Sequence, residues 1–297
     1  MTKTSLFSLI VALLSGMSLC TPSALGQIVL SGTGYTQNFD DISHGLPPGW
    51  TVRTNANDTS LGEIAEINTN AVSWGTTSRG FRNCAGTTDN SGMAFEGTES
   101  AIVQAGATNR CPAVRQTTSF GDPGAAFVFQ IADTLGVSNL TFSVDLNLLW
   151  TNSSSTVWSV EYAVGNSPSV FTLLGTYDDP GVPDTTNASF TLGPDAENQP
   201  DNIWIRVVAL SDSTGGGSRD TFGIDNFALN YDGLASPGIP LSIQADGDNA
   251  VLTWDDPGYA LQAAPEPDGT YTNIPDAASP FTNAMNDPAE FFRLTPD

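Results

Sequence analysis

Apolar and polar residues alternate with a period of two along most of this chain. Phe142, Val144, Leu146 and Leu148 are interleaved with Thr141, Ser143, Asp145 and Asn147. Side chains that change face at every residue are the mark of a strand with one buried side. Trp158, Val160, Tyr162 and Val164 alternate in the same way with Ser159, Glu161 and Ala163. So do Ile203, Ile205, Val207 and Ala209 against Trp204, Arg206 and Val208. Phe127, Phe129 and Ile131 predict a further strand, and Phe222 to Tyr231 another. Between these runs lie Asn152 to Ser155, Asp178 to Asp184 and Ser211 to Gly217, rich in the residues that turns need. No stretch holds a helical period over three turns. The expected fold class is all-β, a jelly-roll-like β-sandwich.

The alternation breaks at residues 233–240, where Gly233, Pro237, Gly238 and Pro240 interrupt it. Beyond this linker, residues 241–297 predict a small second β-sandwich. Leu241 to Ala245 and Ala250 to Trp254 flank Asp246-Gly247-Asp248-Asn249, a hairpin signal. Tyr259 to Ala263, Thr270 to Ile274 and Glu290 to Leu294 complete five short strands. A unit this small, without a cysteine, has a marginal core and is expected to lean on a neighbour.

The first residues read differently. Lys3 precedes an apolar run from Leu6 to Leu14, and Ala24-Leu25-Gly26 supplies a small-x-small cleavage pattern. Residues 1–26 are therefore expected to be a secretory signal peptide, with the mature chain starting near Gln27. The run is shorter than the roughly 20 residues a membrane span requires. Lipidation at Cys20 is disfavoured, because Leu19 stands where that chemistry needs a small residue. Export leaves Cys84 and Cys111, which are expected to pair as a disulfide. Closing a loop of this size would contribute about 3.5 kcal/mol in the chain-entropy picture.

Composition narrows the partners. Nine basic residues stand against 32 acidic ones, a formal net charge of −23. Lys3 is the only lysine and leaves with the leader. Such a surface repels nucleic acid and anionic lipid, so neither is an expected partner. It suits divalent cations, and equally a solvated surface in salt water.

Four stretches carry a family likeness. They are Gln37-Asn38-Phe39-Asp40 with Gly45-Leu46-Pro47-Pro48-Gly49-Trp50; Val114-Arg115-Gln116 with Ser119-Phe120-Gly121-Asp122-Pro123-Gly124-Ala125-Ala126-Phe127; Trp204-Ile205-Arg206-Val207; and Arg219-Asp220-Thr221-Phe222-Gly223-Ile224-Asp225-Asn226-Phe227. With them, residues 27–232 resemble the secreted concanavalin A-like, lectin-like jelly-roll modules of environmental bacteria. The resemblance implies an extracellular or cell-surface binding or adhesion role. It also implies a structural calcium shared by the first and last strands. That places Asp40 or Asp41 and Asp225 as ligands, with Asp122 and Glu96 as contributors. The alternative is that Asp40-Asp41 starts a turn and Asp225 faces solvent. Val251-Leu252-Thr253-Trp254, Tyr259-Ala260-Leu261-Gln262, Tyr271-Thr272-Asn273-Ile274-Pro275 and Phe291-Phe292-Arg293-Leu294 make the second unit similar to a short fibronectin-like module of exported bacterial proteins.

Catalysis is not expected. His44 is the only histidine and sits in a Gly/Pro loop, and no G-x-S-x-G elbow occurs. The E-x-D-x-x-E spacing of jelly-roll glycosidases is missing too. A ligand face is expected from the outward positions Asp145, Asn147, Glu161, Trp204 and Arg206, should their strands be neighbours. An exposed indole stacks on a sugar ring while carboxylates and amides bond its hydroxyls, so a polysaccharide is the expected ligand class. The alternative at the same residues is ordinary pairing of Arg206 with Glu161 or Asp145. Two other readings remain open: a glycan hydrolase using Asp145 and Glu161, and a purely structural surface or matrix protein.

Overall fold

In a computed structural model the described residues are 26–86, 99–233, 240–267, 269–285 and 289–296. The signal-peptide expectation and Glu96 fall outside them, as does most of the linker. In chain order the strands begin with β1 (Gly34–Gln37), β2 (Trp50–Thr54), β3 (Glu63–Ala65), β4 (Ile67–Ala71), β5 (Gly80–Ala85), β6 (Arg110–Arg115) and β7 (Ala126–Ile131). They continue with β8 (Ser138–Trp150), β9 (Ser154–Ser155), β10 (Trp158–Val164), β11 (Thr172–Tyr177), β12 (Asp184–Thr191), β13 (Ile203–Val208), β14 (Thr214–Gly215) and β15 (Thr221–Asp232). The fold is all-β, as the period of two requires.

Two large sheets are built from these strands. One runs β12-β8-β15-β6-β5-β4, with β1 also pairing with β15; the other runs β11-β10-β13-β7-β2-β3. Every pair is antiparallel except β4 with β5. The inner faces meet in one cluster that includes Phe142, Val144, Leu146 and Leu148 of β8 and Trp158, Val160 and Tyr162 of β10. Phe127 and Phe129 of β7 and Ile203, Ile205 and Val207 of β13 join it. Rings interlock across the gap: Trp158 stacks on Phe222 at 4.2 Å, and Trp50 meets Phe227 edge-on at 5.0 Å. Face-to-face sheets lie about 10 Å apart, filled by residues of both.

β15 shows how one residue resets the pattern. Phe222 and Ile224 point inward, and so do Phe227, Leu229 and Tyr231. An even-odd count cannot serve both sets. The register against β8 shifts between Asp225 and Ala228, and Asn226 adopts φ 47°. This β-bulge inserts one residue and returns the apolar set to the core.

The first sheet carries a second small core on its outer face. Trp74, Cys84, Cys111, Ala113 and Leu149 form it. Trp74 is locked there by its indole N–H to the Ala85 carbonyl at 2.8 Å and by Gln104 Oε1 accepting its backbone N–H at 2.7 Å. Gln104 belongs to α1 (Ala101–Ala105), one short turn of helix that the sequence pattern did not announce. Ser100 caps it by accepting from the Val103 N–H at 3.3 Å.

Residues 242–296 form two further three-stranded sheets. β16 (Ser242–Asp246), β17 (Asn249–Thr253) and, after β18 (Tyr259–Ala264) and β19 (Thr272–Asn273), β20 (Phe281–Ala284) make one in the order β16-β17-β20. β19, β18 and β21 (Phe291–Pro296) make the other. Asp246 pairs with Asn249 around Gly247 at φ 61°, the expected hairpin. Leu252, Trp254 and Leu261 are its buried centre. Among the described residues no helix is long and apolar enough to cross a membrane.

Candidate functional site

The expected ligand face is not assembled. Asp145 and Asn147 stand on the outer face of the first sheet, because their neighbours Val144, Leu146 and Leu148 fill the core. Glu161, Trp204 and Arg206 stand on the outer face of the second sheet. The whole core separates the two groups, so Asp145 and Glu161 cannot act as a hydrolase pair.

Neither group is open to solvent. Arg206 and Glu161 face each other in register and pair at 2.6 Å, with the guanidinium 1% exposed. Its remaining hydrogens go to the Asn57 carbonyl at 3.1 Å and the Ser60 carbonyl at 2.9 Å, and Phe171 lies 3.4 Å from it. A buried ion pair survives when its donors are all used, as they are here. Trp204 is 6% exposed and donates its indole N–H to the Gly165 carbonyl at 2.8 Å. The alternative of cross-strand pairing is what the chain adopts. Asp145 accepts from Asn187 at 2.7 Å and Asn226 at 2.9 Å, and Asn147 is wholly buried.

The four carboxylates expected to share a calcium each have partners within the protein. Asp40 accepts the Arg110 N–H at 2.9 Å and the Asn38 amide at 2.6 Å. Asp41 pairs at 3.0 Å on the surface with His44, the last residue of a 3-10 turn over Ile42–His44. Asp225 is buried on β15 opposite Asp145, with Gly86 packed so closely that a Cβ there would lie 2.7 Å from its Oδ2. Asp122 binds Arg219 and both the hydroxyl and N–H of Ser213 at 2.8 Å. Burial pushes the Asp122 carboxyl up, but these donors outweigh it and hold the group below its ordinary value. Among the described residues no three His, Cys, Asp or Glu side chains come together. Asp225 Oδ1 accepts the Asn226 N–H at 2.8 Å, so each of these carboxylates has at least one oxygen engaged within the protein.

The two cysteines expected to pair are brought to one rung of the ladder. Cys84 and Cys111 lie directly opposite each other on β5 and β6, and both are free and fully buried. Two residues on, the Gly86 N–H donates to the Asn109 carbonyl at 3.0 Å. The cysteines therefore occupy a hydrogen-bonded position of the ladder. Such a rung holds its Cα atoms about 5.5 Å apart, within reach of a disulfide, and the two thiols are free in this structure. Cys111 Sγ donates instead to the Ala85 carbonyl at 3.7 Å. Burial pushes the Cys84 thiol up to about 12, outweighing Arg82 and Arg110.

What the surface does offer is a groove that the pattern of residues did not disclose. Thr36, Gln37, Asn38, Asn226, Phe227 and Ala228 line an open recess of about 540 Å³ where β1 runs beside the β15 bulge. That volume lies within the range of small-molecule sites. Asn226, left-handed at φ 47°, stands in its wall, with its Nδ2 donating to Asp145 Oδ2 at 2.9 Å. Among the described residues its lining combines the amides of Gln37, Asn38 and Asn226 and the Thr36 hydroxyl with Phe227 and Ala228. A smaller recess of about 270 Å³ is lined by Trp150, Thr151, Val182 and Pro183 and presents a partly exposed indole. The one sequence signal for the larger groove was the break in alternation after Ile224.

No family model matches the chain, and no curated protein matches it. Solved structures do show similarity. One is the K1 cleaved adhesin domain of Lys-gingipain from Porphyromonas gingivalis W83, 13% identical, with a TM-score of 0.39 over 68% of this chain and 100% of that one. Another is a cyclase from Fischerella sp. TAU, 14% identical, with a TM-score of 0.38 over 68% of this chain and 100% of that one. A xylan-binding module, CBM15, is 13% identical with a TM-score of 0.32, over 54% of this chain and 95% of that one.

Proposed function

We propose that this chain is an exported, non-catalytic binding or adhesion protein of a bacterial surface that takes a polysaccharide. The observation that carries this is the 540 Å³ groove walled by Thr36, Gln37, Asn38 and Asn226. Amides and a hydroxyl in an open trough suit the hydroxyl edge of an extended sugar chain. The formal charge of −23 favours a neutral polysaccharide over a sulfated or uronic one. On this reading the first unit is a lectin-like jelly roll and the second a fibronectin-like attachment element.

The test is electrophoresis of the mature protein through gels cast with neutral polysaccharides such as xylan, mannan and β-glucan. Retardation in at least one gel is expected, without release of reducing sugar. Asn38→Ala and Asn226→Gly should each weaken it; glycine keeps the left-handed backbone while removing the amide. Migration unaffected by every polysaccharide would leave a purely structural matrix role. Sugar release would convert the reading to a hydrolase.

A further inference from the structure

Trp150 differs from every other tryptophan of the chain. Trp50, Trp74, Trp158, Trp204 and Trp254 are between 1% and 6% exposed, whereas Trp150 is only half-buried. An indole kept partly in water forgoes the burial that the other five obtain.

Strand register turns this ring outward. The pairing of β15 with β8 shifts between Thr221 and Phe222, so Thr221 lies opposite Trp150 while Phe222 lies opposite Leu148. Leu148 and Phe222 fill the core. Thr221 points the other way, its hydroxyl donating to the Trp74 carbonyl at 2.8 Å. Trp150 accordingly packs against the outer cluster of Trp74 and Leu149. Gly75 supports it there: a Cβ at that position would lie 3.2 Å from Cε2 and Cζ2 and press on the ring. The rest of the indole opens into the 270 Å³ recess with Thr151, Pro183 and Val182, whose side chain is 54% exposed.

The larger groove opens on the same face. Thr36 lies opposite Ala228, Ala228 opposite Ser143, and Ser143 opposite Ser189, so one rung crosses β1, β15, β8 and β12. Their neighbours Phe227, Leu229, Phe142 and Val144 fill the core, which turns this rung outward. Thr36 and Ala228 line the groove. From Ser189 the outer row of β12 continues through Asn187 and Thr185 toward Pro183 and Val182. Ala188 and Phe190 face the core, while Ser189 and Asn187 are exposed. Asn187 donates Nδ2 to Asp145 at 2.7 Å, which leaves its Oδ1 as an acceptor. Ser189 to Thr185 spans about 13 Å at the rise of a strand.

This row consists of hydroxyls and an amide, and it leads from amides at one end to an indole at the other. That order suits a sugar chain, whose hydroxyl edges take hydrogen bonds and whose ring faces stack on aromatic carbon. Asp178 and Asp184, both exposed, flank Val182 and Pro183 in the chain and disfavour an acidic sugar there.

We propose that Trp150 is a stacking platform for one ring of a neutral polysaccharide that runs from the groove along the outer row of β12. The inference rests on the polysaccharide reading of the groove and adds a second, aromatic subsite to it. Val182 and Pro183 flank the stacked ring, and Ser189 and Asn187 bond the hydroxyls of the sugars between. Because the two subsites lie apart, an oligosaccharide long enough to reach both binds more tightly than a short one.

Acrylamide quenching of tryptophan fluorescence tests this in the unaltered mature chain, where Trp150 is the most accessible indole. Among hexamers of xylose, mannose and glucose, the one matching a polysaccharide that retards the chain should protect against quenching, and its dimer should protect far less. In the gels, Trp150→Ala should lose about tenfold or more in affinity, and Trp150→Phe should recover part of that loss. A thermal melt shows whether the alanine variant is folded; if it is not, protection in the unaltered chain decides. Quenching unchanged by every hexamer, or full retardation of a folded Trp150→Ala, would overturn this inference. The groove reading would then stand alone, provided Asn38→Ala still weakens binding. An unaltered chain that no polysaccharide retards would overturn both.

Discussion

Replacing Asp220 with asparagine is expected to stabilise the protein in alkali and to leave it nearly unchanged in acid. The carboxyl is 9% exposed, and burial raises its pKa from 3.8 to about 7 against the pull of the Asn152 N–H and Arg115. In the unfolded chain it titrates near 3.8. Between these values the native state holds a proton that the unfolded state has lost, so stability falls as pH rises through that window. The loss is absent below pH ~4 and complete above pH ~7. A raise of ~3 units at 1.36 kcal/mol each sets an upper limit of about 4 kcal/mol, and solvent relaxation reduces it to about 2–4 kcal/mol. Asparagine keeps an oxygen for the Asn152 N–H and removes the charge. Urea unfolding followed by tryptophan fluorescence, with chelator present, at pH 4 and pH 8 reads the difference directly. Other titrating groups act on both proteins and cancel. The variant should be more stable by about 2–4 kcal/mol at pH 8, or about 5–10 °C in Tm, and matched at pH 4. A difference that is the same at both pH values would refute the argument, because it could not come from the proton.

Two other outcomes follow from buried groups. Arg206→Ala should cost about 3–5 kcal/mol in urea unfolding, because Glu161 is left as an unpaired buried charge, whereas Arg206→Met with Glu161→Leu should recover most of that loss. Equal losses in the single and double variants would show that packing, not charge, decides this site. With its pKa about 12, the Cys84 thiol should resist Ellman's reagent in the native mature protein, and denaturation should expose two reactive thiols. No thiol after denaturation would show that the pair is oxidised.

The strands were legible because alternation is local: the inward set of β8, β10 and β13 can be read from each segment alone, as can the Asp246–Asn249 hairpin. Even the bulge left a trace, since Ile224 and Phe227 are three residues apart and cannot share a face without an inserted residue. The α1 turn left none, because five residues are too few to show a helical period.

Alternation assigns a side chain to a face, but not the face to solvent. It turned Trp204 and Arg206 away from the core correctly. The covering of that face by the Asn57 and Ser60 carbonyls and by Phe171 depends on segments distant in the chain. Likewise Asp145 and Glu161 read as possible neighbours until β8 and β10 entered different sheets. Whether Cys84 and Cys111 meet at a hydrogen-bonded rung is a matter of register, set by long-range pairing. Among 32 acidic residues, Asp220 is marked out by its burial in a recess drawn from five separate segments. Short-range sterics and periodicity therefore determined the all-β class and the buried faces. Strand pairing and loop coverage, which bring distant residues within a few ångströms, decided which polar groups are spent on structure and which remain free to bind.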